Sequence, residues 1–490
     1  MDKFGRLFGK KNPLEWMLVG LLMTGQVSAQ SVDTLAPARK PRLQSLSEPV
    51  TPTVREPLSI KGYKTYSGTK ILFIRTPGLP MFDIHVSFAA GSAHTADQPG
   101  LAALTFSLMN EGVAGKDLNA VMETFEGLGA TLGMDISRDR AGFSLRSLSD
   151  DARRVPALEL FAQVLGKPLL AEGSLPGARS QLLHFLELEG QSYATQANKA
   201  LDGLLFPGHG YAQSVYGTAK DLASITRAEV QAFHGKAYAN GNALITLVGD
   251  LSEDEAKRIG SQIANALPQG PAMSAINTPP SPVAAANPLR IERPSTQAHL
   301  RLAQTSVLRA NPDYPALRIA GQIFTARLTK ELREYRGLTY GVHADISARQ
   351  AQGAWIIELQ TRPELADAVL ALTKEMFRDY LAHGPTEQEL ENVQLRLTGS
   401  APLNSASNTQ ILRKLYDINL NNLPLDLDFY AQQAQRLDLA AVKDALNRHF
   451  SAGQWSAVIL GPKIDQQPLP DPVESATNAS CRASDEIVAS

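Results

Sequence analysis

The chain has 490 residues, which allows two to four domains at roughly 100–200 residues each. Its 43% hydrophobic and 20% charged residues are typical of globular proteins. A formal net charge of −2 gives no reason to expect nucleic acid or an anionic membrane surface as a partner. The single cysteine, Cys481, excludes an internal disulfide framework and a metal cluster built on cysteines.

The N-terminus has the pattern of a secretory signal peptide. Basic residues within 3–11 precede the apolar run 16–25, which is too short to span a bilayer because a spanning helix needs ~20 residues. Small residues then suit cleavage after Ala29. We therefore expect residues 1–29 to be removed and the protein to be exported to a periplasm. The alternative is that this segment is kept as a membrane anchor.

Segments rich in proline and small polar residues divide the rest of the chain. Residues 30–57 and 269–288 have the composition of linkers, and residues 465–490 that of a disordered tail. Two bodies remain between them, 58–268 and 289–464.

The first body alternates strand-like and helix-like patterns. In chain order we predict strands at 70–76 and 81–91, helices at 98–111 and 117–128, strands at 130–139 and 141–148, several helices, and a closing strand at 242–250.

The second body repeats this plan. We predict strands at 297–304, 339–346 and 353–361, helices at 314–334 and within 363–450, and a closing strand at 454–462. The fold class is therefore α+β, with two homologous α/β-sandwich units arising by duplication. Each unit has an antiparallel-rich sheet with helices on one face.

The histidines do not form a metal motif. A zinc site on a helix needs two histidines at i and i+4, and none of the nine is spaced in this way. Lone histidines such as His94 and His209 are more often surface or core residues. A phosphate-binding glycine loop and a G-x-S-x-G nucleophile motif are also absent from the sequence.

The segment RLTKELREYRGLTYG, residues 327–341, has a more specific pattern. It predicts a helix that ends at Gly337 and is followed by a strand. This corner would bring Arg333 close to Tyr340, and the two side chains are donors suited to a carbonyl or a carboxylate. The alternative is a surface arginine and a half-buried tyrosine with no role.

The order of the motifs carries a family resemblance. In sequence they read GSAH, EGVAGKDL, LGATLGMDISRDRAGFSLRSLSDD, FPGHGYAQSVYGT, LVGDLS and LREYRGLTYG. This series resembles the pitrilysin-like zinc peptidases, which include insulinase and the mitochondrial processing peptidase. The resemblance covers most of 58–464 and agrees with the duplication.

The resemblance also shows what this chain lacks. Zinc-bearing members have H-x-x-E-H on the first helix after GSAH; its histidines and a downstream glutamate bind zinc, and its glutamate is the general base. Here Ala103 and Ser107 take the histidine positions and Phe106 that of the base. The downstream ligand falls near Leu183 or His184, where no glutamate matches. We therefore expect no metal or other cofactor in this chain.

Arg333 and Tyr340 match the family's arginine and tyrosine that bind and orient the substrate backbone. The resemblance thus implies a non-catalytic, substrate-orienting subunit of an exported heterodimeric zinc metallopeptidase. A homologous partner would carry the zinc, peptides would be cleaved in a closed chamber, and this chain alone would have no activity. The alternatives are a peptide-binding or assembly protein of the same fold, and an autonomous metallopeptidase, which the missing ligands disfavour.

Overall fold

The computed structural model describes residues 58–282 and 287–472. The predicted signal peptide, the linker at 30–57 and Cys481 lie outside the described residues. Within the described part of the chain, no helix combines the length and apolar character needed to cross a membrane.

The first half contains a large sheet, a two-stranded sheet and a series of helices. Its strands are β1 (Ile60–Lys64), β2 (Lys70–Arg75), β3 (Met81–Phe88), β4 (Gly112–Val113), β5 (Lys116–Asp117), β6 (Thr131–Ile136), β7 (Ala141–Leu148) and β8 (Ala243–Gly249). Its helices are α1 (Leu101–Met109), α2 (Leu118–Gly127), α3 (Asp151–Gly166), α4 (Leu175–Gln191), α5 (Tyr193–Leu205), α6 (Ala219–Ser224), α7 (Arg227–Ala237) and α8 (Glu253–Ala266).

The second half is built in the same way. Its strands are β9 (Leu289–Glu292), β10 (Ala298–Ser306), β11 (Val342–Ser347), β12 (Gly353–Thr361) and β13 (Ser456–Gly461). Its helices are α9 (Tyr314–Leu328), α10 (Ala366–His383), α11 (Glu387–Ser400), α12 (Asn408–Asn421), α13 (Phe429–Gln435) and α14 (Leu439–His449).

The two large sheets have the same topology. The first has the strand order β1-β2-β8-β3-β7-β6, and the second, read from its far edge, has the order β9-β13-β10-β12-β11. One parallel pair occurs at the equivalent place in each sheet, β2 with β8 and β9 with β13. The second sheet therefore repeats the first without β1, which confirms the predicted duplicated α+β unit.

Side-chain caps fix where several helices begin. The hydroxyls of Thr226, Ser252, Thr386 and Ser407 each accept from a backbone N–H of the first turn, and a Glu or Gln three residues later caps in return. Such a box satisfies donors that the helix itself leaves unpaired.

Helix α12 of the second half lies on the first sheet, where it contacts β2, β3 and β8. The buried residues of this contact are Leu72, Ile74, Val248, Ile411, Leu415 and Ile418. The first sheet thus has its own helices on one face, as predicted, and a helix from the other half on its opposite face.

Helix α5 of the first half makes the reciprocal contact with β10 and β13. Leu201 and Leu205 are buried there in one cluster with Val458 and Leu460. Because both faces of the second sheet are covered, β13 is buried along its whole length, and its sequence SAVILG is correspondingly apolar.

An ion-pair network also joins the halves. The buried carboxylate of Asp202 in α5 accepts from Arg138 at 2.9 Å and from Arg349 of the second half at 2.7 Å. These groups line a cavity of about 310 Å³ between the halves. Because the two partly buried arginines already share a carboxylate of the protein, the cavity belongs to this structural contact.

Parts of the predicted linker and tail are held against the two halves. In the segment 269–282, the Met273 N–H donates to Asn242 Oδ1 at 3.2 Å. At the start of the predicted disordered tail, the Gln467 N–H donates to the Glu364 carbonyl at 2.7 Å. The described tail residues 465–472 are thus tied to the second half by backbone and amide hydrogen bonds.

Substitution of Leu415 tests the crossing of α12. Leu415 is fully buried, at 0% exposure. We expect Leu415→Ala to lower the free energy of unfolding by about 2–5 kcal/mol, because it leaves a cavity between the halves. Leu395→Ala, at a position 63% exposed on α11, is the control and should change it by less than ~0.5 kcal/mol. Equal losses in urea titrations would contradict the contact.

The lowered pKa of Glu255, at the start of α8, predicts how the stability of the fold depends on pH. Hydrogen bonds from Ser252 and then from Arg154 lower its pKa from 4.5 to about 2. Its carboxylate therefore stabilises the fold fully above pH 4.5, and this contribution is lost as the pH falls towards 2. Glu255→Gln keeps the capping pattern but removes the charge paired with Arg154.

We expect a deficit of about 1 kcal/mol in the unfolding free energy of Glu255→Gln at pH 7. It should shrink once the pH drops below 4.5, the ordinary pKa of the group. Glu159→Gln, at an exposed position of α3, serves as the control. A deficit that stays constant between pH 6 and 3 would show that the ion pair contributes nothing.

Candidate functional site

Helix α1 carries the positions at which zinc-bearing members have their motif. It begins after Gly100, whose φ of 89° favours glycine, and where an added Cβ would lie 3.0 Å from the Tyr216 carbonyl oxygen. Ala103 is 1% exposed and packs in the core of the first half, while Phe106 is partly buried against the same core. At these two positions the helix contributes to packing.

Ser107, at the position of the second histidine, faces helix α4. Its hydroxyl donates to Gln181 Oε1 at 3.2 Å. His184, near which the spacing placed the downstream ligand, is instead 64% exposed and lies 3.7 Å from Glu187. The residue opposite Ser107 is therefore Gln181, one helical turn earlier. The sequence contained no signal for this pair, because a glutamine on a helix has no distinctive pattern.

These residues do not fit a zinc ion. Zinc in proteins is held by imidazole, thiolate or carboxylate groups. Ala103 and Phe106 offer no ligand atom, and Ser107 with Gln181 offers only a hydroxyl and an amide. Within 58–282 and 287–472, no group of three His, Cys, Asp or Glu side chains is arranged to hold a metal ion.

The two lone histidines have other surroundings. His209 Nδ1 accepts from the Tyr211 N–H at 3.1 Å, and its Nε2 lies 2.9 Å from the Asn277 carbonyl oxygen, so both ring nitrogens are engaged. Burial, together with the nearby charge of Arg140, lowers the pKa of His94.

The arginine–tyrosine turn is built as the sequence predicts. Helix α9 continues as a π-helix over Thr329–Tyr335 and ends before Gly337, whose φ is 57°. Leu332 and Leu338 are buried on either side of the turn, and the Leu338 N–H donates to the Leu332 carbonyl at 2.7 Å. β11 begins at Val342, three residues later than the predicted strand.

This turn brings Arg333 and Tyr340 together. The Arg333 guanidinium carbon lies 5.2 Å from the centroid of the Tyr340 ring, a cation–π contact. Tyr340 is 90% exposed and Arg333 is also exposed. Among the described residues neither side chain takes part in a hydrogen bond or an ion pair. The guanidinium and the phenol hydroxyl are therefore available to a carbonyl or carboxylate from outside the chain.

The outer edges of the two sheets differ. On β11, Thr325 Oγ1 of α9 accepts from the Ala344 N–H and donates to the Ala344 carbonyl, both at 2.9 Å. This side chain occupies the edge of the second sheet. β6, the equivalent edge strand of the first sheet, is bonded along one side to β7, and nothing else in the described part of the chain bonds to its backbone.

Metal removal tests the absence of a zinc site. We expect the purified chain to contain zinc well below one ion per molecule. Its Tm should be the same with and without a chelator, because a protein is stabilised only by ligands that bind its native state. Elemental analysis and thermal unfolding would measure this. A Tm lowered by chelation would mean that the chain holds a metal through other residues.

Comparisons with known proteins agree with this geometry. Residues 224–397 match the family model described as the peptidase M16 inactive domain. The crystal structure of a peptidase M16 inactive domain from Pseudomonas fluorescens is similar with a TM-score of 0.81 and 42% identity, covering 84% of this chain and all of that one.

Two more distant matches also cover most of this chain. The non-peptidase homolog YmxG of Helicobacter pylori is 24% identical over 79% of this chain and 90% of its own. The periplasmic protease PqqL of Escherichia coli is 17% identical, with a TM-score of 0.70 over 88% of this chain and 49% of its own. The 42% identity to the Pseudomonas fluorescens protein confirms the resemblance seen in the sequence: the chain belongs to the peptidase M16 family.

Proposed function

We propose that this chain is the non-catalytic, substrate-orienting subunit of a heterodimeric zinc peptidase, working with a zinc-bearing homologue on peptides in a closed chamber. The observation that carries the proposal is the contrast between its halves. The zinc-motif positions Ala103 and Phe106 are used for packing, whereas Arg333 and Tyr340 lie together and exposed.

The exposed Arg333–Tyr340 pair contributes little to the fold. An aromatic side chain that is 90% exposed gains little from burial, so Tyr340 adds little to the stability of the fold. The arginine presents a planar set of donors, and the phenol adds one more beside it. Together they can bind a peptide carbonyl and stabilise negative charge that develops on its oxygen. Zinc in the partner would supply the activated water.

The open edge of β6 supports a peptide substrate. An extended peptide can add to a free sheet edge through its backbone hydrogen bonds, with little dependence on its sequence. The matching edge at β11 is occupied by Thr325, so β6 is the better place for such pairing.

The name of the Helicobacter pylori relative, non-peptidase homolog, is in line with a subunit that has no activity of its own. Export to a periplasm is part of the proposal and rests on the sequence of residues 1–29.

The experiment begins with native co-purification of the chain and zinc analysis of each copurified subunit. In the reconstituted pair we expect Arg333→Ala to lower kcat/KM about a hundredfold, because a donor aimed at the developing charge is lost. Tyr340→Phe, which removes only the hydroxyl, should lower it less. The complex should still form in both cases.

Two matched variants control for effects unrelated to the pair. Arg378→Ala removes an arginine whose side chain is 67% exposed, and Tyr66→Phe alters a tyrosine that is fully exposed. Both should leave peptidase activity unchanged. If Arg333→Ala and Tyr340→Phe behave like these controls, the pair does not orient substrate. If no zinc-bearing homologue copurifies, the alternative of a peptide-binding or assembly protein is favoured.

A further inference from the structure

The C-terminal strap, residues 464–472, follows the last strand of the second sheet and runs back over the second half. The Gln466 side chain accepts from the Asp367 N–H and donates to the Pro363 carbonyl, both at 3.0 Å. Leu469 is partly buried against the core of the second half. Although most of the strap is exposed, polar bonds and one apolar contact hold it in place.

Pro470 of the strap lies beside the arginine–tyrosine turn. Arg336 Nη1 donates to the Pro470 carbonyl at 3.0 Å, and Arg336 Nε donates to Glu331 at 2.6 Å. The Arg336 side chain is 19% exposed, so these bonds are partly shielded from water. Arg336 lies between Arg333 and Tyr340 in the chain and ties their turn to a segment more than a hundred residues away in sequence.

Within the described part of the chain, few other hydrogen bonds join this turn to the rest of the protein. The Leu338–Leu332 bond lies within it, as does the Thr339–Gly341 contact at 2.8 Å. Outside the turn, Thr361 donates to the Leu338 carbonyl at 2.7 Å. The exposed Arg333 and Tyr340 side chains depend on this backbone for their position, because packing does not fix them.

We infer that Arg336 is a positioning residue and that the C-terminal strap fixes the Arg333–Tyr340 pair. The consequence for catalysis rests on the proposed function, but the ordering of the turn is a property of the isolated chain. A donor pair held in place before substrate arrives loses less entropy on binding than a mobile one.

Hydrogen–deuterium exchange of the turn amides, residues 337–342, tests the ordering. A chain ending at Lys463 lacks the strap, whereas one ending at Pro472 keeps it. In the shorter chain and in Arg336→Gln we expect exchange to be about tenfold faster, since a charge-assisted bond is lost. The chain ending at Pro472 and Arg378→Gln are controls that should match the parent, and Arg336→Lys should restore part of the protection.

Unchanged exchange in both Arg336→Gln and the chain ending at Lys463 would overturn the inference. If the shortened chain fails to fold, Arg336→Gln still tests the inference. Because the measurement uses this chain alone, its outcome is distinct from that of the proposed function, which fails if no zinc-bearing partner exists.

A double-mutant cycle in the reconstituted pair tests the consequence for catalysis. If Arg336 acts through Arg333, then Arg336→Gln lowers kcat in the parent but has no further effect beside Arg333→Ala. A merely structural role would instead give additive losses, and that result would overturn the assignment of Arg336 as a positioning residue.

Discussion

Each half contributes one helix to the sheet of the other half, and this exchange holds the halves together. α12 closes the second face of the first sheet, and α5 closes that of the second. Separating the halves would expose both apolar faces to water, at a cost of roughly 25 cal/mol for each Å² of apolar surface. The duplicated units are therefore one body, and the network around Asp202 adds charge pairs to the same contact.

In the first half, the zinc-motif positions are used for packing. The helix that carries the zinc motif in other members has become part of the core, with Ala103 at 1% exposure and Ser107 bonded to Gln181. Restoring a zinc site would need ionisable or imidazole groups at several of these places together. A charged group buried there without its partners would carry a large desolvation cost.

The second half carries the exposed Arg333–Tyr340 pair, for which we propose a role in binding. Arg333 and Tyr340 project from a turn whose backbone is tied by Leu338 to Thr361 and by Arg336 to the strap. Two exposed donors side by side suit the recognition of a backbone carbonyl, a group that every peptide carries whatever its sequence. Such a site has little value without a reactive group opposite it, which is why a zinc-bearing partner is part of the proposal.

The duplicated α+β units, the Gly337 turn and the residues at the zinc-motif positions could be predicted from the sequence, because these depend on local periodicity and on motifs of fixed spacing. The sequence could not show that α5 and α12 exchange halves, that Gln181 rather than His184 faces Ser107, or that Arg336 reaches Pro470. Those contacts join residues far apart in the chain. They are visible only in the folded protein, because the packing of apolar faces and the reach of single side chains leave no periodic pattern in the sequence.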